Sequence, residues 1–271
     1  MSPIDEAASV DAFKDVPVID LAHIFSDDPS FRKGLVSQIR DACIRVGFFY
    51  VSNHGIPEEV IADALAGAKQ FFALPLETKM EIENKKQPNF KGYCPLLSGN
   101  NDPYGAGDLQ EGFQFGWEAL DNKGVQDESI SGAMTGANVW PSEATVTGFR
   151  NAALTYYHAA TKLGKALFPL FAEALDQRPD FFHDKVRRFS SQSESLLKLV
   201  LSADTAFSGF DEAPLLSPPV RASRWQGYWD RCSYGCFTIL WQEPGIQALQ
   251  VLNSEKQWIN APPMSGTLVI K

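Results

Sequence analysis

Positive charge is scarce in this chain: 24 lysines and arginines stand against 33 aspartates and glutamates, a formal net charge of −9 over 271 residues. A field of that sign repels phosphate backbones and anionic lipid, which argues against nucleic acid or a membrane as the main partner. Cysteine and histidine are scarce too, at four each. Cys232 and Cys236 form a C-x-x-x-C pair with no second cluster, so a zinc site is not expected. Together with Cys43 and Cys94 they read as reduced thiols buried as small hydrophobes. No apolar run reaches the roughly 18 residues of a membrane span. The opening MSPIDEAASVDAF carries Asp5, Glu6 and Asp11 where a secretory signal would be basic, so a cytoplasmic location is expected. The chain lacks G-x-S-x-G, a P-loop and H-E-x-x-H, and Gly105-Ala106-Gly107 has neither the third glycine nor the preceding strand of a dinucleotide fingerprint. There is no internal repeat.

Hydrophobic residues make up 44% of the chain and charged residues 21%, ordinary values for a globular domain with a buried core. Residues 16–21 (VPVIDL) predict a strand, and the spacing of Leu35, Val36, Ile39, Cys43 and Val46 predicts an amphipathic helix. A second strand follows at 48–51, a turn at Asn53-His54-Gly55, and a helix over about 57–72 with Pro57 in its first turn. Residues 84–112 are rich in Asn, Gly, Pro and Asp and predict a long irregular crossing. Phe113, Phe115 and Trp117 alternate as in a strand with one buried face. One long helix is expected from Phe149 to Ala174, kinked or broken at Pro169. Residues 202–222 read as loop, and four short strands close the chain at 236–242, 248–252, 257–260 and 267–270. Helices followed by short strands predict an α+β fold.

The ordered motifs VPVIDL, GFFYVSNHGIP, FFALPLETK, KGYCPL, GDLQEGFQFG, YGCFTILWQ, LQVLN and GTLVI resemble the isopenicillin-N-synthase-like family of Fe(II)/2-oxoglutarate-dependent dioxygenases. The resemblance covers about residues 16–190 and 234–270. It implies a helical N-terminal region packed on a double-stranded β-helix, or jelly roll, here incomplete at the C-terminus, with the last strand left at an open edge. The implied divisions are 1–125 for the N-terminal region, 126–200 for a long-helix linking region, 201–233 for an aberrant or loop segment and 234–271 for a partial jelly roll. The implied activity is oxidation of a small organic substrate, with Fe(II) and 2-oxoglutarate as cofactors; the resemblance implies nothing about the oligomeric state. Tyr93, with Phe113 near it, resembles a position that faces the substrate pocket in some members.

The family's iron is held by H-x-D on one strand plus a later histidine, a facial triad whose open positions admit 2-oxoglutarate and dioxygen. Alternate strand residues share a face, which is why H-x-D grips from one side. Here those positions fall on Arg231 and Ser233, immediately before Tyr234-Gly235. Arginine is a permanent cation with no lone pair to give. The later histidine and the arginine that pairs with 2-oxoglutarate have no counterpart, so neither Fe(II) nor 2-oxoglutarate is expected to bind this chain. An inactive member of the lineage is the first reading. A non-enzymatic, dioxygenase-like binding module is the second. A relocated metal centre using His158, His183 or Asp230 is the third.

Residues 224–233 (RWQGYWDRCS) carry a further signal. Read one base further on, Trp225 into Gln226 must encode glycine, and so must Trp229 into Asp230. The shifted frame is compatible with DGKVIGIGAHT, which resembles the family's approach to H-x-D. A mis-called intron, a splice variant or an indel is therefore expected here, with a diverged loop of chance compatibility as the alternative.

Overall fold

In the computed structural model, the described residues are 12–26, 28–98, 111–120, 137–183, 199–202 and 237–271. Strand β1 (Val18–Asp20) leads into helix α1 (Pro29–Arg45). Asp28 starts α1 by accepting the Ser30 N–H on Oδ1 at 2.8 Å, satisfying one of the donors that a helix N-terminus leaves open. Leu35, Ile39 and Ala42 form its buried stripe, at helical spacing. The expectation for Cys43 is corrected here: its thiol is exposed, because Ala42, one residue earlier, takes the inward position.

Strand β2 (Phe49–Ser52) pairs in parallel with β1, and α2 (Glu58–Phe72) follows. Pro57 is the N-cap of α2 and not part of its first turn. A short helix α3 (Leu76–Glu81) and a 3₁₀ turn (Asn84–Lys86) then appear in and before the stretch expected to be irregular, which also holds β3 (Gly92–Cys94) and the start of β4 (Gly112–Phe115). Tertiary pairing supplies what the local sequence does not signal: β3 and β4 are antiparallel, with Tyr93 opposite Phe113. Helix α4 (Phe149–Ala174) runs unbroken through Pro169. Strand β5 (Leu199–Ser202) adds to β4, at the end of a linking region in which the sequence predicts only helix.

The closing strands are β6 (Ile239–Leu240), β7 (Gln250–Leu252), β8 (Trp258–Asn260) and β9 (Thr267–Ile270). They divide between two sheets. One has the order β1-β2-β9-β6, the other is the hairpin β7-β8. The expectation of an open edge at the last strand is corrected by the pairing. Strand β9 lies inside its sheet, antiparallel to β2 on one side and to β6 on the other, so the N-terminal region and the closing strands share one hydrogen-bonded sheet. Leu268 and Ile270 on β9 pack with Ile19, Phe49, Val51 and the α1–α4 faces in the largest core cluster.

A second cluster is dominated by aromatic rings. Phe71 of α2 stacks on Phe149 of α4 at 5.3 Å between centroids and meets Phe113 edge-on at 5.0 Å. The two helices approach closely at Gly67, where an added Cβ would lie 3.1 Å from the Phe149 ring. Trp117 does not continue the buried alternation of Phe113 and Phe115: it is 46% exposed, since β4 ends at Phe115.

Burial of two tyrosines in the other core clusters sets an alkaline limit on stability. Burial pushes the Tyr50 and Tyr156 hydroxyls from 10.0 up to about 12. The raised folded-state values mean that their contribution is fully present below pH 10 and is lost as pH rises through about 12. We expect stability to fall over that window, with tyrosinate absorbance appearing together with unfolding. Two normally titrating tyrosines in a fully folded protein would contradict this.

Candidate active site

The described residues that resemble pocket positions lie deep in the aromatic cluster. Tyr93 and Phe113 share the face of the β3-β4 pair turned to α2, both in edge-on contact with Phe71. Phe115, two residues on, lies on the same face and meets Trp140 and Tyr157. Both positions are closed off: Tyr93 is 1% exposed and Phe113 0%. Tyr93 donates its hydroxyl to Glu111 Oε2 at 2.6 Å. Its burial, with the Glu111 hydrogen bond and charge adding to it, raises the phenol well above its ordinary range.

Glu111 is the centre of a buried polar hub. Lys79 of α3 donates to the same Oε2 at 2.8 Å and to the carbonyl of Phe72, at the end of α2, at 2.9 Å. The ammonium also lies 5.2 Å from the centroid of the Tyr93 ring. Thus one ion pair ties the end of α2, helix α3, β3 and the entry to β4. Both partners are almost fully buried, so water does little to screen them.

A second cluster clamps the chain that follows β4. Asn138 accepts the Gly116 N–H and returns a hydrogen bond to the Gly116 carbonyl, each at 2.9 Å, as a paired strand residue would. Glu118 takes Asn138 and Trp140 on Oε2 and the Arg150 guanidinium on Oε1, fixing residues 116–118 to the start of α4. The carbonyl of Glu118 meets His158 Nε2 at 2.8 Å. A ring nitrogen facing a carbonyl must carry its hydrogen, so His158 Nε2 has no lone pair for a metal.

The other histidines are placed as differently as the sequence allows. His23 stacks on Phe31 at 4.0 Å. His54 is buried in its turn, where Nδ1 accepts the Ile56 N–H at 3.2 Å, and burial lowers its pKa against the opposing pull of Glu58. His183 is exposed, one turn after Asp180, to whose carbonyl its N–H is bonded. Among the described residues no group of three or more His, Cys, Asp or Glu side chains could hold a metal ion. No described helix is long and apolar enough to cross a membrane. Arg231 and Ser233, with Asp230, Cys232 and Cys236, lie outside the described residues.

Sequence reasoning missed the Lys79–Glu111 hub and the Glu118 clamp. Each joins residues about thirty positions apart through chain that carries no periodic signal. The one available hint was the placement of charged residues among apolar ones in FFALPLETK and GDLQEGFQFG, since a charge that folds inward needs a partner.

Comparison with known proteins gives one answer. Residues 16–143 match the family described as non-haem dioxygenase in morphine synthesis N-terminal. A 2-oxoglutarate-Fe(II) type oxidoreductase of Metarhizium majus is 32% identical over 262 residues, which cover 94% of this chain and 67% of that protein. A 2-oxoglutarate-dependent dioxygenase of Penicillium crustosum is 30% identical over 273 residues, covering 98% of this chain and 76% of that protein. Among solved structures, a full-length Neurospora crassa protein in complex with alpha-KG and thymine superposes with a TM-score of 0.63 at 20% identity, over 94% of this chain and 73% of that one. The rice dioxygenase for auxin oxidation gives 0.55 at 17% identity, over 95% and 71%. At such identities the structures speak for the fold alone, the jelly roll of the 2OG-Fe(II) oxygenases. The α+β arrangement, the matched N-terminal region and relatives about 30% identical over nearly the whole chain agree, and the chain belongs to the Fe(II)/2-oxoglutarate-dependent dioxygenase family.

Proposed function

We propose that this chain belongs to a dioxygenase lineage that oxidises a small organic substrate and that the 271-residue polypeptide does not itself turn over. The observation that carries the proposal is the donor set. Arg231 and Ser233 occupy the positions of the family's H-x-D, and residues 234–271 contain no histidine. A guanidinium has no lone pair for Fe(II), and its fixed charge repels the ion. Of the four histidines in the chain, two have ring nitrogens engaged with backbone groups, one is stacked on a phenylalanine and one is exposed. Placed at those positions, Arg231 and Ser233 do not fit the metal, among the described residues no group of three or more His, Cys, Asp or Glu side chains could hold it, and no step of the reaction is routed through it. Thymine bound to one structural neighbour supports a small-molecule substrate for the lineage.

On this reading Tyr93 and Phe113 support the sheet from its helix-covered side, Tyr93 through its bond to Glu111. Purified protein supplied with Fe(II), ascorbate and 2-oxoglutarate is expected to release no succinate above a protein-free control. Sustained iron-dependent succinate release would overturn the proposal.

We also propose that Arg224–Ser233 is family sequence read in a neighbouring frame. Its support is the pair of forced glycines, at Trp225 into Gln226 and at Trp229 into Asp230. Sequencing of the locus and its transcript is expected to show, in the adjacent frame, codons for glycine, isoleucine or threonine, glycine, alanine and histidine in that order. Any other codons there remove the proposal.

A further inference from the structure

We draw no further inference here: the strongest candidate, the groove of about 410 Å³ between α2 and the start of α4 lined by Asp63, Gln70, Asn151 and Thr155, rests on a helix N-terminus where Glu143 already accepts the Gly148 N–H, and nothing in the structure shows what covers it.

Discussion

Replacing Gly92 by alanine is expected to destabilise the protein by about 3 kcal/mol or more, the largest effect of an added methyl group at any of the described glycines. Gly92 sits at φ +115°, a conformation that L side chains rarely adopt. A Cβ there would lie 2.3 Å from the carbonyl oxygen of Ile82. That oxygen cannot simply retreat, since it accepts the Tyr93 N–H at 2.8 Å and so holds β3 against the chain leaving α3. Alanine must therefore both strain the backbone and break a buried hydrogen bond. Gly34 in α1 is the control: nothing lies within 4 Å of its added Cβ, and alanine there should stabilise by roughly 0.5–1 kcal/mol through helix propensity. Denaturant titration of the two variants reads the difference. Equal midpoints would show that β3 is not held as described.

The second large effect concerns the buried ion pair. Lys79→Met is expected to cost about 3–5 kcal/mol, because it removes the cation that balances the buried Glu111 carboxylate and leaves the Tyr93 hydroxyl as its partner among the described residues. Removing the whole hub should cost much less than removing one half. Lys79→Met combined with Glu111→Leu and Tyr93→Phe removes both members of this ion pair and the hydroxyl bonded to it, and is expected to recover most of the single-variant loss. Urea midpoints of the single and triple variants test this. A triple variant at least as unstable as Lys79→Met would show that the hub stabilises by more than mutual satisfaction of its members.

Where one element's own pattern decides its burial, the sequence was readable. The helical spacing in α1, α2 and α4 and the short apolar runs of β2 and β9 are seen at nearly the expected bounds. Pro169 does not end the helix, because α4 keeps Leu163, Leu167 and Leu170 buried on one face despite one missing hydrogen bond. Within the expected irregular stretch, β3 was missed for the opposite reason. Strands β3 and β4 are only three and four residues long and gain stability from each other and from Phe71, which no local window contains. The place of β9 was also out of reach: its partners are β2, more than two hundred residues earlier, and the two-residue β6. For the site, the sequence identified the family. The Lys79–Glu111 pair and the Glu118 clamp needed the fold, because side chains far apart in the chain meet only once the sheets close.

The most direct test of the account is calorimetric titration of the 271-residue protein with Fe(II), or with Mn(II) in its place, under anaerobic conditions. On the proposal that Arg231 and Ser233 take the H-x-D positions, no saturable binding heat is expected. A stoichiometric site of micromolar affinity would contradict the account.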